Sequence, residues 1–548
     1  VTEMLVVLVS GFLVIAVAAV LGPRLGIAAP LLLVVVGVGA SFLPLFAAVE
    51  IEPEWILEGV LPPLLYSSAV SMPAMNFRRE FAAISGLSVV LVVGSSLVLG
   101  LFFALVVPGL GFAWGVALGA IVSPTDAVAT SIVRRTPTSA RVVAMLEGES
   151  LLNDATALVI LRTAIVATAA AFSFWGALGT FAYSVAVAVV VGALVGRLAL
   201  LARRRITDPT VSTVISFAVP FLASVPAELL EASGLVAAVV AGLVTGVRAP
   251  RDLSSRNRLS DSQNWRTVEL VLEGAVFLTM GLQIRSIVES VERDHAGVGT
   301  AVLIAVGALV LTVLVRAAYV APLLRALAAR ARQHVSLQGR LTRMQDRMGT
   351  PEGKAELAAR SRRRLSENQL ERFALRITRG LATIRYFLRE PLGWREGAVV
   401  VWAGMRGAVT VAAAQTLPET APQRSVLVLV AFTVATLSLL VQGGTTGPLV
   451  RRLARPVDPA VVQAREADRA ELVALLRRTA EAVPAPHVPD DGSAPAAVAH
   501  RLAVLAAQRD ALLTARDDGT VDADVLQEAL ANLDASEIAI ELRGRLAE

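Results

Sequence analysis

Stretches of about 20 mostly apolar residues, parted by short polar turns, recur along the first four-fifths of this chain. Thirteen are long enough to cross a bilayer as helices: 4–22, 27–47, 55–72, 81–107, 112–133, 141–170, 173–200, 209–228, 233–248, 266–288, 299–324, 396–417 and 425–450. The polar turns between them alternate in charge. Arg24, Arg78-Arg79, Arg134-Arg135 with Arg141, Arg203-Arg204-Arg205, Arg248 to Arg258, the long 325–395 stretch and Arg451-Arg452 mark one side. Acidic or neutral turns such as Glu50 to Glu54, Pro108 to Gly111 and Glu228 to Ser233 mark the other. Positive charge collects in short cytoplasmic loops, so the N-terminus is expected outside and the C-terminus in the cytoplasm of a plasma membrane. The first stretch lacks a basic leader and is read as a span.

Two spans are interrupted. Ser123-Pro124-Thr125-Asp126-Ala127 breaks the fifth, where proline removes a backbone donor and the neighbouring hydroxyls can satisfy freed groups. Gly404-Met405-Arg406-Gly407 breaks the twelfth. Each is the fifth of a six-span set, one to six and eight to thirteen, with span seven as linker. The plain reading is a proline kink and a glycine packing pair. The charges Asp126 and Arg406 inside the breaks favour a transporter site near the midplane, between inverted repeats.

The expected fold is an all-α polytopic membrane protein with about 13 spans, two inverted six-helix repeats and crossed discontinuous helices. Its expected parts are scaffold helices 1–76, core helices 77–171, a linker helix 172–208, scaffold helices 209–298 and a core helix 299–324. A basic cytosolic insert 325–395, core helices 396–454 and a helical C-terminal domain 455–548 follow. The insert, with Arg362-Arg363-Arg364, reads as one or two amphipathic helices. The tail has helical patterns at Glu471 to Leu476 and Leu502 to Leu513, parted by a break at Pro484 to Pro495.

Composition narrows the chemistry. The 548 residues are 55% hydrophobic and 17% charged, with no cysteine, so thiolate metal sites, disulfides and cysteine nucleophiles are excluded. The four histidines, His295, His334, His487 and His500, all lie in hydrophilic stretches. Arg, Ala and Val usage with a single lysine, Lys354, points to a GC-rich bacterial source. Gly349 to Ala355 resembles a phosphate loop, but is one residue short between its glycines and lacks Ser or Thr after Lys354. Asp517 to Asp522 has the wrong spacing for a calcium loop and reads as a turn. No cofactor and no nucleic-acid partner are expected, and any pumping should run on an ion gradient.

Carboxylates must therefore carry the chemistry. Span six holds Glu149-Ser150-Leu151-Leu152-Asn153-Asp154 and Arg162. Ionised carboxylates at bilayer depth are costly and mark ion paths or partners. At about 100° per residue Glu149 and Asn153 share a face and Asp154 lies one position round. Asp154 is read as the exchanged site and Glu149 as a fixed structural charge. Arg316 lies in an apolar run and needs an anion; Glu149 is its preferred partner, with Arg406 as competitor. Glu273, a turn after Glu269 in span ten, is a further intramembrane charge. At such a carboxylate, desolvation favours the proton and a partner cation favours the ion, so H⁺ and an alkali cation compete for one acceptor. A site that changes sides only when occupied turns that competition into exchange.

At these residues the chain resembles the monovalent cation:proton antiporter-1 family, which includes NhaP-type and animal Na⁺/H⁺ exchangers. Ser123 to Val128, Gly148 to Asp154, Gly404 to Val409 and the double-proline segment Leu61 to Leu65 resemble its motifs and occur in its order. The resemblance implies a homodimer of core and scaffold parts with elevator-type alternating access. It implies cation binding at or near Thr125, Asp126, Ser150, Asn153 and Asp154, with Na⁺ at Asp154, and a Glu149–Arg316 ion pair. Asn153, where an electrogenic branch has Asp, implies one cation per proton. The expected function is Na⁺/H⁺ antiport, with Li⁺ also accepted, for pH and sodium homeostasis. K⁺(Na⁺)/H⁺ exchange is the alternative, and a membrane sensor or scaffold without transport a more distant one. An intramembrane enzyme lacks a Ser/His, Cys/His or metal set.

Overall fold

The computed structural model describes residues 2–44, 52–169, 174–294, 297–348, 350, 367–454, 459–484 and 494–547. Among the described residues every regular element is a helix. Nine helices among the described residues are long and apolar enough to span a membrane, and Ala29–Ala40 and Phe112–Val122 are shorter apolar helices. Large apolar side chains such as Leu13, Leu105, Val190 and Leu303 stay exposed on these helices, as lipid-facing positions do. The chain is thus an all-helical multi-span membrane protein. The acidic turn at Glu50, the 171–173 turn, His295, His487, most of the phosphate-loop-like segment, Arg362 to Arg364 and most of the 484–495 break lie outside the described residues.

The chain divides into two compact units. One comprises Val1–Arg248, Ser260–Leu323 and Trp394–Ala454; the other comprises Ala249–Leu259, Leu324–Gly393 and Arg455–Glu548.

In the first unit, small residues let helices approach backbone to backbone, the usual device where apolar burial does not separate helix from lipid. A Cβ on Gly115 would strike the Gly100 carbonyl oxygen, and one on Gly119 that of Ser96, so Val92–Val106 and Phe112–Val122 close against each other. The double proline opens the Leu61–Ser71 helix, directly after a π-helical turn at Trp55–Val60. Proline is tolerated there because first-turn donors have no intrahelical partner. Both broken spans are broken as expected: Phe112–Val122 stops before Val128–Arg134, and Trp394–Trp402 before Ala408–Gln415.

Two boundaries differ most from the sequence expectation. The tenth span begins at Ser255, eleven residues before 266, because the polar stretch Ser255 to Arg266 continues the helical repeat without a breaker. The eleventh does not end at 324: Val298–Met348 is one helix of 51 residues, so the first half of the insert continues a span rather than forming a separate helix.

In the second unit, Glu367–Arg389 returns along that helix, with Ile377 and Leu381 packing on Met348. Helices Pro459–Ala482, Ala494–Asp518 and Ala523–Ala547 enclose Leu472, Leu512, Val525, Leu526 and Leu533. The 517–522 segment is a helix-ending turn. Gly519 takes φ +68° and the Thr520 amide donates to the Ala515 carbonyl at 3.2 Å, while Asp522 Oδ1 accepts the Asp524 amide at 3.0 Å.

Candidate ion-binding site

The two breaks meet. The Asp126 amide donates to the Met405 carbonyl at 2.7 Å, and each break carries the charge that suits the other's helix ends. Arg406, 2% exposed, donates from Nε to the Val122 carbonyl at 2.9 Å and from Nη2 to the Ser123 carbonyl at 3.2 Å, and also reaches its neighbour Gly404. It thereby satisfies the orphan carbonyls at the negative end of Phe112–Val122. Asp126 lies at the opposite kind of end. Its Oδ1 accepts the Val128 amide at 2.9 Å, and its Oδ2 occupies the place a Cβ on Gly407 would take, at the start of Ala408–Gln415. Only glycine at 407 leaves that room. Ser438, bonded to Gln442, accepts the Arg406 amide at 2.9 Å and braces the second break.

The Ala140–Ala169 helix brings span six to this crossing. Arg316 Nη1 and Nη2 donate to the two Glu149 oxygens at 2.5 and 2.7 Å, and Arg316 Nε donates to the Val400 carbonyl at 2.9 Å. Both side chains are nearly fully buried, and a Cβ on Gly404 would strike the guanidinium. Arg316, not Arg406, therefore holds Glu149; the backbone carbonyls occupy Arg406. Thr125 Oγ1 donates to Glu149 Oε1 at 3.1 Å and accepts from Asn153 Nδ2 at 2.8 Å. Asn153 Nδ2 also donates to the Thr125 carbonyl at 2.8 Å.

These bonds fix which end of the Asn153 amide is free. Its Oδ1 is buried without a partner, next in sequence to Asp154. Asp154 is 7% exposed, and no hydrogen bond or ion pair reaches its carboxylate among the described residues. Asp126 lies within electrostatic range of it. The cluster offers oxygen atoms alone to a guest: carboxylate, amide and hydroxyl, the donor set of a hard cation.

The other residues singled out from the sequence are placed differently. Ser150 is half-buried, and its hydroxyl donates along its own helix to the Glu147 carbonyl at 3.0 Å. Glu273 is half-buried, within electrostatic range of Asp126 and Glu269. Arg162 is not part of the cluster. It is exposed and lines a separate cavity of about 560 Å³ with Glu54, Glu58, Glu228 and Glu231. It follows Asp154 by two helical turns, about 12 Å along the axis, which carries it beyond the crossing.

Two buried ion pairs were not anticipated. Arg141 holds Glu80 through Nε at 2.6 Å. Arg203 pairs with Asp261 and donates to Ser212 at 3.0 Å, beside Ser216, which accepts the Trp265 indole N–H at 3.0 Å. Arg141 and Arg203 stand in turns whose arginines read as topological markers. Their burial is visible only once a carboxylate on another helix is seen opposite.

Comparison with known proteins places the chain in a family. The model described as sodium/hydrogen exchanger, transmembrane, matches residues 11–358 and 372–452. The chain belongs to the sodium/hydrogen exchanger family. Members of that family are transporters, not enzymes. An uncharacterised Na⁺/H⁺ exchanger of Mycobacterium tuberculosis is 27% identical over 98% of this chain and 96% of its own length. The Na⁺/H⁺ antiporter ApNhaP of Aphanothece halophytica is 27% identical over 77% of this chain and 69% of its own. A sodium, potassium, lithium and rubidium/H⁺ antiporter of Bacillus subtilis is 30% identical over 49% and 41%. The sodium proton antiporter MjNhaP1 of Methanocaldococcus jannaschii shares the fold, with a TM-score of 0.56 at 15% identity over 83% of this chain and all of that one. The family match takes in both breaks, Asp154 and Arg316, and stops before the C-terminal helices.

Proposed function

We propose that this exchanger-family chain is a secondary active antiporter that exchanges Na⁺, with Li⁺ also accepted, for H⁺ at Asp154. The observation that carries the reading is a buried carboxylate without a partner beside the free Asn153 Oδ1. Glu149 is held by Arg316 and Arg406 by backbone carbonyls, so neither arginine is left to neutralise Asp154, and the neighbouring Asp126 is itself a carboxylate. Asp154 is thus the charge left over for a guest. A proton or an alkali cation neutralises it, and the neutral site can change sides. Thr125, Asp126, Ser150 and Asn153 are proposed as ligands or near neighbours of the cation.

The remaining arrangement follows from the same reading. About thirteen spans form two inverted repeats whose broken helices cross. Residues 77–171, 299–324 and 396–454 move as the core against scaffold helices 1–76 and 209–298, with 172–208 as linker and two protomers joined as a homodimer. The N-terminus lies outside and the insert and C-terminal domain lie in the cytoplasm. With Asn153 in place of a second carboxylate, one cation moves per proton and exchange is electroneutral, serving pH and sodium homeostasis. The broad selectivity named for the Bacillus subtilis relative favours K⁺(Na⁺)/H⁺ exchange as the second reading.

Proton flux in proteoliposomes, challenged in turn with Na⁺, Li⁺ and K⁺, tests both. Wild type should move protons in answer to Na⁺, and Asp154→Asn should not. A silent wild type, or an Asp154→Asn variant equal to it, overturns the antiport reading; a K⁺ response as large as the Na⁺ response favours the second.

A further inference from the structure

The turn between two spans is clamped by charge. Residues Ala249–Leu259 join the helices Gly234–Asp252 and Ser255–Leu282, and belong to the same compact unit as the C-terminal helices. Their three arginines each meet a carboxylate of those helices. Arg251 Nη2 lies 2.8 Å from Asp517, Arg256 Nε 2.8 Å from Glu541, and Arg258 Nε 3.0 Å from Asp534. Between them Ser255, 2% exposed, donates to Glu537 at 2.6 Å and accepts from Arg509 Nη2 at 2.9 Å. Arg509 also lies 2.9 Å from Asp534.

Three arginines matched to carboxylates on two helices set a register that solvated loop charges would not need. The outer pairs are open to salt: Arg251 and Asp517 are 47% and 39% exposed, Arg256 and Glu541 23% and 35%. Such pairs weaken as ionic strength rises, because the screening length falls from about 10 Å at 0.1 M to about 3 Å at 1 M. The clamped turn also starts the helix that carries Glu273, 18 residues and roughly 27 Å beyond Ser255 at 1.5 Å per residue. Glu273 lies within electrostatic range of Asp126, and the helix runs from the clamped turn to it without a break.

We propose that helices Ala494–Asp518 and Ala523–Ala547 form an ionic-strength-sensitive latch on the Ala249–Leu259 turn, holding the Ser255–Leu282 helix in the register that exchange requires. The latch rests on the antiport reading above. Engaged, it fixes the end of a helix past which the core must move; screened, it lets that helix shift and exchange slows.

The Arg256–Glu541 pair gives the cleanest test, since no other ion pair involves either residue among the described ones. Full-length wild type, Arg256→Glu, Glu541→Arg, the double swap and the milder Glu541→Gln are reconstituted. Na⁺-driven proton flux is read at fixed Na⁺ while choline chloride rises equally on both sides, with sucrose as osmotic control. Wild-type flux should fall about two- to fivefold between low and high ionic strength, the range expected for losing one or two exposed pairs. Each single reversal should start at the lowered rate and respond weakly to salt, Glu541→Gln should lie between, and the double swap should restore both rate and salt response. A pair that merely supports the fold would lower heat stability and leave the salt response of the folded protein unchanged. That result, single reversals indistinguishable from wild type, or an unrestored double swap overturns the latch. A wild type that shows no cation-driven flux overturns the antiport reading instead.

Discussion

The Glu149–Arg316 pair should show a large energetic coupling, with the order of stability reversed from simple residue counting. Both side chains are about 2% exposed, and the guanidinium makes two bonds to the carboxylate and one to the Val400 carbonyl. Arg316→Met keeps much of the volume but strands Glu149 with Thr125 as its remaining donor. Removing one member of a buried pair costs about 3–5 kcal/mol, because the other charge is left uncompensated. Adding Glu149→Gln removes that charge, and the glutamine side-chain oxygen can still accept from Thr125. What remains is the Val400 carbonyl without its donor, worth about 1–3 kcal/mol. The double variant should therefore be more stable than Arg316→Met alone by about 2 kcal/mol. Glu149→Gln alone completes the double-mutant cycle. Detergent-solubilised protein heated in steps, with the surviving monodisperse fraction read by size-exclusion fluorescence, gives the ranking: wild type, double variant, then Arg316→Met. Equal losses for the double variant and Arg316→Met would refute the pairing as the source of stability. So would a larger coupling of Glu149 to Arg406→Met than to Arg316→Met.

Three further outcomes follow from the same geometry. Asn153→Asp should make exchange sensitive to membrane potential, since an uncompensated charge is worth about 2.3 kcal/mol per 100 mV; flux under an imposed potassium diffusion potential checks it, and an insensitive variant contradicts the role given to Asn153. Gly407→Ala would drive a Cβ into Asp126 Oδ2, so the carboxylate must leave its Val128 bond; exchange should fall about tenfold or more, matching the loss of one buried hydrogen bond, in protein that still reaches the membrane. Arg203→Met strands Asp261 and should cost about 3 kcal/mol in heat stability, and Asp261→Asn on top of it should recover part of that loss.

The spans and their breaks were legible because each has a local cause. Apolar length marks a span, and Pro124 or the Gly404–Gly407 pair marks a break. Asp154 stood out for a similar reason, as an ionisable group with no local partner at membrane depth, and the structure leaves it buried and unbonded among the described residues. Partners are a different kind of fact. Glu149 and Arg316 stand 167 residues apart, and although Arg316 was the preferred partner, the need of Glu149 for a counter-charge left Arg406 as a competitor until the backbone carbonyls were seen to claim it. Arg141, Arg203, Arg251, Arg256 and Arg258 were readable only as charges on one side of a membrane, a reading that concerns insertion and leaves their later partners open.

The crossing shows why local reading stops there. Asp126 suits the positive start of Ala408–Gln415, and Arg406 the negative end of Phe112–Val122. Arg406 bonds the carbonyls of the other break, while Asp126 accepts the Val128 amide of its own and stands against Gly407 of the other. Each interrupted helix, taken alone, is a span with unsatisfied backbone groups and one costly charge, so either would be destabilising in a membrane. Brought together, the Arg406 guanidinium takes up the carbonyls at the end of the first half-helix and Asp126 stands at the start of the second. Asp154, on the helix packed against them, is a buried carboxylate that no hydrogen bond or ion pair reaches among the described residues, and an ionised group so placed calls for a counter-charge that neither break supplies.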